Sequence, residues 1–448
     1  MPSAKEFVAG ADIRPVLKAV DTELAERRAK FDVNARYYWG DMPKPLKDDT
    51  NNIMFNLHMP AIDNTLAFLF GEMPIIELAD RGRLETAEAD DTDDELFIKR
   101  AFAHNGGASF WSNVAWYGAI VGQPFVKVRR PDDGTEYPRL INVDPRKIVR
   151  VWHEDDIDET LGYIIQWMTT ESGQTRKHRQ DIMRAGKGWV LVDYDEANNG
   201  AWSQVGKEEA WDYALPPVAS WQHLPKPGAA YGREEIVEHA LNDAVNAIAS
   251  DFKAILRNHA FPKMAAFGVD AGKIQKTAID RFWTVEDKDA RIELLEMQSK
   301  LEPVFDGLTM LIDQFNTQVR NVNVRPAELR AISTNFIMRL RYAPMLFKLN
   351  TLRRQYADGG LEPITKLMLA IAGRPADVEP EVKWFEPLPV NAIERTQMLQ
   401  AQIGMGLSRQ TALKELGYNP EAERVRRMDD ILDDNFDLAG IGTAGVSE

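Results

Sequence analysis

"RPAELRAISTNFIMRLRYAPM", residues 325–345, decides how this chain is read. Pro326 interrupts any helix arriving from the N-terminal side. Pro344 lies inside the helix that leaves, where it offers no N–H and its ring presses on the preceding turn. Between them stands a short polar break, Ser333-Thr334-Asn335, with Ser333 suited to cap the outgoing helix. The spacing predicts a helix from Ser333 to about Ala372, kinked at Pro344, with Leu340 and Phe347 among its core residues. Upstream, residues 301 to about 322 read as an amphipathic helix. Leu308, Leu311, Ile312, Phe315, Val319 and Val322 are its apolar side; Glu302, Asp306 and Asp313 are its polar side. A polar break thus joins two amphipathic helices.

Working back toward the N-terminus, "KMAAFGV" and "RIELLEM" are strand-like runs around a helical "GKIQKTAIDRFW", a compact module over 259–300. Before it, "EEIVEHALNDAVNAIASDFKAILRN" has Val237, Leu241, Val245, Ile248, Phe252 and Ile255 on one stripe. Glu235, Glu238, Asn242, Asn246, Lys253 and Arg257 form the other. Read as a helix from Glu234, it is a rod of roughly 37 Å. Helix, small module and helix make a stalk with a head. "ALPPVASWQHLPKPGAAYG", 214–232, is the Pro-rich joint in front of the stalk. In the first half, residues 15–38 carry Val16, Leu17, Val20, Leu24 and Phe31 at helical spacing. A helix from Pro60 to Phe70 is closed by Gly71 and Pro74, and "ASFWSNVAWYGAIVG" is a buried helix. "PFVKVRR", "RLINVDP", "KIVRVWHE", "LGYIIQWMT" and "GWVLVDY" alternate as an antiparallel meander, and "ELADRGRLETAEADDTDDE" reads as an acidic surface stretch. After the long helix come a strand, "EVKWFEP", and helices in "NAIERTQMLQAQIGMG" and "SRQTALKELG". The class is α+β, mainly helical.

Composition bounds what such a chain can do. Its 448 residues suffice for two or three domains. Sixty-nine acidic against 54 basic residues, net −15, argue against a chain-wide affinity for nucleic acid. There are no cysteines, which removes disulfides, thiolate catalysis and cysteine metal sites. "MPSAKEFVAGADIRP" lacks the apolar centre of a signal peptide, and no run of about 18 apolar residues is present, so a cytoplasm-like compartment is expected.

The chemical motifs mostly fail. "AGKG", 185–188, has Asp181 where a phosphate loop needs its first glycine and Gly188 where it needs Ser or Thr, so a hairpin turn is expected. "GIGTAG", 440–445, has neither the leading strand nor the following helix of a dinucleotide site. Asp90, Asp91, Asp93, Asp94 and Glu95 lack the glycine and spacing of a calcium loop. The histidines at 58, 104, 153, 178, 223, 239 and 259 show no metal-ligand spacing. The tryptophans at 111, 116, 152, 167 and 189 sit in periodic segments and are expected in the core. No activated nucleophile is legible, so no enzyme, cofactor or metal is expected.

This order of parts resembles the portal protein of tailed bacteriophages, over nearly the whole chain. "NNIMFNLHMPAIDNTLAFLFGEMPII" and "AWYGAIVGQPFVKVRRPDDG…PRLINVDPRKIVRVW" look like portal wing segments, and "YGREEIVEHALNDAVNAIASDFKAIL" like a first stem helix. "VKWFEPLPVNAIERTQMLQAQIGMGLSRQTALKELGY" looks like the family's strand and crown start, with the turn Gly406-Leu407-Ser408. The family's loop carries small residues before the kinked helix; here the bulkier "STNF" stands there.

The resemblance implies a wing (1–232 and 335–385), stem helices (233–258 and 301–322), a clip (259–300), a tunnel loop (323–334), a crown (386–430) and a tail (431–448). It implies a cyclic ring, twelve-fold in the virion at one capsid vertex, assembled in the host cytoplasm and in contact with no membrane. Its partners would be double-stranded DNA passing through the channel, the terminase large subunit, major capsid and scaffolding proteins, and head-completion or tail adaptor proteins. Arg325, Glu328, Arg330, Ser333, Thr334 and Asn335 would line the channel at the tunnel loop, Glu302, Asp306 and Asp313 would face it from the stem, and Pro344 would kink the long helix. Twelve copies would carry about −180, a wall that repels phosphate. Two other readings stay open: another head–tail adaptor or minor capsid protein, and a DNA-processing hydrolase.

Overall fold

The computed structural model describes residues 2–8, 13–47, 52–79, 92–131, 134–171, 174–197, 201–260, 264–267, 291–294, 302–322, 335–388, 392–415, 423–424 and 426. The first half runs β1 (Ser3–Ala4), α1 (Arg14–Trp39), α2 (His58–Phe70), β2 (Ile75–Ala79), α3 (Asp93–His104), α4 (Gly107–Val121), β3 (Phe125–Arg129) and β4 (Arg139–Asn142). Then come β5 (Ile148–His153), β6 (Thr160–Glu171), β7 (Gln174–Ala185), β8 (Gly188–Glu196), β9 (Trp202–Trp211) and β10 (Val218–Ser220). The second half holds α5 (His239–Ala260), β11 (Met264–Phe267), β12 (Arg291–Leu294), α6 (Glu302–Val319) and α7 (Asn335–Tyr356). A π-helical turn (Ala357–Leu361) joins α7 to α8 (Glu362–Ile371), and β13 (Glu379–Lys383), α9 (Ala392–Gly404) and α10 (Arg409–Glu415) follow.

Strands β5 to β9 are the antiparallel meander, and β1 adds a parallel edge to β5. On one face α1 lays Val16, Val20 and Leu24 against Val149, Val151, Ile164, Met183 and Val192. The other face, through Tyr163, Ile165, Ile182 and Leu191, joins the main core. Two strands have no apolar alternation in the sequence. "QTRKHRQDIMRA" is β7, whose Arg179 and Asp181 are both buried and paired at 3.0 Å, with the guanidinium over the Tyr194 ring. Polar residues pass inside there because they meet each other. The other, β9, is the outer strand of the sheet and almost wholly exposed. Its charges suit an edge that must not recruit another chain. The turn between β7 and β8 is Gly186-Lys187, so "AGKG" is a hairpin.

"PFVKVRR" and "RLINVDP" do not belong to the meander. They form β3 and β4 of a separate sheet, ordered β10-β3-β4. Around it α2, α3, α4, α7 and α8 close the main core, with Trp111, Phe125, Tyr356 and Leu361 fully enclosed. The acidic stretch begins inside a strand: Glu77–Ala79 belong to β2, which pairs antiparallel with β13, and Glu77 meets Lys383 across them. At the start of α3, Thr92 and Glu95 make a reciprocal capping box, so part of that acidic run serves a helix N-terminus. The long helix does run on to Ile371, but through the π turn. There a Cβ on Gly359 would stand 2.3 Å from the Trp221 side chain, and one on Gly360 would stand 2.9 Å from its ring. Glycines let Trp221 seat against the helix backbone.

Helix α5 starts at His239 rather than Glu234, because Glu238 adopts φ +62° and Glu235 turns inward. Its polar stripe is partly inside. Asn242, Asn246 and Ser250 are buried and accept hydrogen bonds from the backbone N–H groups of Leu57 (3.0 Å), Phe55 (2.7 Å) and Ile53 (2.9 Å). Four residues of helix advance about 6 Å and two of extended chain about 6.6 Å, so every fourth helical residue meets every second extended one. Helix α6 packs on α5, with Phe315 and Val319 turned inward. The strand-like runs of the 259–300 module pair as β11 and β12.

Candidate functional site: the junction of α6 and α7

Arg325, Glu328, Arg330, Ser333 and Thr334 lie outside the described residues, and Asn335 is the first residue of α7. What the structure gives is the two flanks of this segment. Helix α6 closes with Arg320 at φ +53° and the Asn321 N–H on the Asn316 carbonyl at 2.9 Å, the usual left-handed end with arginine in glycine's place. On α6, Glu302, Asp306 and Asp313 are exposed. They share one face, since intervals of four and seven residues return to the same side of a helix. Pro344 is exposed inside α7, where it withholds the N–H that the Leu340 carbonyl would receive. Leu340 and Phe347, expected in the core, are 65% and 68% exposed. Their side of α7 is opposite the one carrying Met345, Leu349 and Leu352, which are buried.

Beneath the junction lies a buried ion network that spans the chain. Lys348 Nζ donates to Glu235 Oε2 (2.9 Å), Thr65 Oγ1 (2.8 Å) and the Val319 carbonyl (3.0 Å). His223 Nε2 donates to Glu235 Oε1 (2.8 Å), and its Nδ1 accepts from the Tyr356 hydroxyl (2.8 Å). All four ionisable groups are buried. Burial by itself would raise the Glu235 pKa, but the Lys348 charge and the hydrogen bonds from His223 and Lys348 hold it at about 2. Burial, then the Glu235 charge, push the Tyr356 hydroxyl well above its ordinary range. One ammonium thereby ties the last turn of α6 to the middle of α7, to α2, and to the strap before α5. It holds the turn that leads toward residue 323 against the middle of α7. The signal was present in the sequence: Lys348 falls on the same helical face as Met345, Leu349 and Leu352.

A second buried imidazole, His58, sits between the rings of Tyr37, His239 and Phe315, where burial and then His239 lower its pKa to about 3. Among the described residues no three His, Asp or Glu side chains converge as a metal site. The remaining titratable constellation runs across the meander. Thr169 Oγ1 is 2.6 Å from His178 Nε2, and His178 Nδ1 is 2.6 Å from Asp195 Oδ1. It borders a cleft of about 670 Å³ lined by Asp21, Arg28, Arg146, Lys177 and Trp202 among others. Hydroxyl, imidazole and carboxylate in that order suggest a nucleophile relay. Acyl transfer also needs preorganised donors for an oxyanion, and among the described residues that line the cleft α1 contributes only its middle turns and no helix N-terminus is present. Cross-strand polar pairing of β6, β7 and β8 accounts for it.

No protein-family model and no curated protein matches the sequence. Among solved structures, the chain is similar to one described as "Neck of empty GTA particle computed with C6 symmetry". The TM-score is 0.50 and the identity 17%, over 82% of this chain and 91% of that one. At that identity the likeness is one of fold. It spans both halves of the chain, the meander half and the helical half.

Proposed function

We propose that this chain is a portal-type subunit, one of twelve in a ring at a capsid vertex. Through that ring double-stranded DNA enters during packaging and leaves at ejection. The observation that carries the reading is the fold shared with a particle-neck chain over 82% of this one. Residues 1–232 and 335–385 serve as wing, 233–258 and 301–322 as stem, 259–300 as clip and 386–430 as crown. Arg325, Glu328, Arg330, Ser333, Thr334 and Asn335 line the narrowest part of the channel, and Glu302, Asp306 and Asp313 face the DNA below it. Supporting this, the helix that leads into the segment is tied at its last turn, through the Val319 carbonyl, to Lys348 and Glu235. A line of exposed carboxylates on α6 repels phosphate and keeps passing DNA from adhering.

The ring itself performs no hydrolysis; ATP is consumed by the terminase docked on the clip, and the tail adaptor later takes that place. A neck fold by itself suits a head–tail adaptor as well, and the excursion from α5 through β11 and β12 to α6 favours the portal. Light scattering on the purified chain, with negative-stain images, tests the reading. A closed ring with a central hole, on the order of twelve subunits, is expected. A monomer or dimer at micromolar concentration overturns it. Excising 259–300 is expected to spare the ring and abolish capture of the terminase large subunit; capture that survives removes the clip from the assignment.

A further inference from the structure

The outer side of α7 is apolar where a helix on a protein surface is usually polar. Leu340, Pro344, Phe347, Thr351 and Arg354 follow one another at intervals of four, three, four and three, the spacing of a helix–helix seam. Nothing described in this chain covers Leu340 or Phe347. A second bare helix lies on the other flank of the 323–334 segment. On α6, Phe305 and Met310 are each 59% exposed, one on either side of the line Glu302, Asp306, Asp313. The two helices have opposite charge without mixture. Helix α6 carries Glu302, Asp306 and Asp313 and no cation; α7 carries Arg339, Arg341, Lys348, Arg353 and Arg354 and no acid. Lys348 is committed to the buried network and Arg339 to Glu386, whereas Arg354 is exposed at the end of the apolar seam.

We infer that the Leu340–Phe347–Arg354 seam of α7 docks on the Met310 side of α6 in a second copy of this chain. The occupant is a second copy because complementary halves are both present: an apolar seam ending in a cation, and an exposed Met310 beside a line of acids on a helix with no cation. Two different faces meeting make a head-to-tail contact, which builds a ring when its rotation closes and does not build a two-fold dimer. In that contact Glu302, Asp306 and Asp313 keep their channel side, while Met310 turns to the neighbour. This rests on the ring reading above and adds the faces that build it.

The chain has no cysteine, so two introduced thiols report one contact. Phe347→Cys and Met310→Cys are made singly and together in the full chain, assembled, oxidised and run on a non-reducing gel. The double variant is expected to give a ladder of covalent species running past the dimer, and each single variant only single chains. Four results overturn the assignment. Dimers of the Phe347→Cys single variant mean that the seam packs on itself. A compact, internally linked monomer means that it packs within its own chain. Rings by light scattering with no ladder refute this pairing and leave the ring reading standing. Absence of rings in the unmodified chain removes both. As an independent arm, Phe347→Asp is expected to dissociate the assembly while the far-ultraviolet circular dichroism stays unchanged; rings that persist refute the seam.

Discussion

Phe347 and Lys348 are adjacent on α7, and their surroundings are inverted. The phenyl ring is 68% exposed, while the ammonium is buried among Glu235, Thr65 and the Val319 carbonyl. A charge costs several kcal/mol to bury unless its partners are in place, and an aromatic ring left in water forgoes roughly 2 kcal/mol of burial. Neither arrangement is favourable for an isolated helix. The inversion shows that the two sides of α7 answer to different partners. The inner side is positioned by a few directional bonds within the chain. The outer side meets no apolar partner among the described residues.

The largest expected effect breaks the inner side. Lys348→Ala leaves the Glu235 carboxylate buried without its cation, and urea unfolding should show a loss of roughly 3–5 kcal/mol. Adding Glu235→Gln should restore part of it. A loss near zero would mean that the network is hydrated and that the contrast with Phe347 is illusory.

Next comes acid. Glu235 is depressed to about 2, so its stabilisation is complete above about 4.5 and is lost as pH falls toward 2, amounting to roughly 3 kcal/mol. His58, lowered to about 3, contributes in the same sense, fully above 6.5 and progressively less down to 3. Asp181 opposes them: burial raises it to about 6, so it disfavours the fold increasingly as pH rises from 3.8 toward 6. Urea midpoints are therefore expected to change little between pH 6.5 and 4.5 and to drop steeply below. Glu235→Gln should flatten the lower limb. An unchanged limb would detach the network from acid unfolding.

A smaller loss is expected from Asn246→Ala, which strands the Phe55 N–H; roughly 1–3 kcal/mol by urea unfolding is the usual cost. Hydrogen exchange at Phe55 would accelerate with it, and protection that persists would show another acceptor. The smallest effect sharpens the outer side. In the dissociated subunit, Leu340→Ala and Phe347→Ala should each change stability by within about 0.5 kcal/mol. Leu352→Ala, on the buried side, should cost roughly 2–5 kcal/mol. Equal losses at Phe347 and Leu352 would mean that the outer side is covered within the chain.

Periodicity disclosed those parts of the molecule where one face is dry and the other wet. That holds for α1, α4, β5, β6 and β8; the strand-like runs of 259–300 pair as β11 and β12, and the turn at Gly406, read from the resemblance, precedes α10, where the Ser408 carbonyl accepts from the Ala412 N–H. It failed where charged groups are paired inside, as in β7 with Arg179 and Asp181, or where an edge is charged, as in β9. It failed in the opposite sense at Leu340 and Phe347, because a helical apolar residue carries no mark telling whether its partner is the same chain. The same ambiguity hid the junction. Glu235, Asn242 and Asn246 read as a solvated stripe and are buried instead, each bonded to a group remote in sequence.

The asparagine and serine row of α5 grips main-chain atoms of residues 53–57 and no side chain among them. A grip of that kind is indifferent to spelling. It demands an extended strand of the right length with free N–H groups at alternate positions, and it excludes proline at 53, 55 and 57. The exposed Phe55 can be exchanged for another letter while the seat stays the same, whereas Met54, Asn56 and Leu57 answer also to the core and to Tyr38.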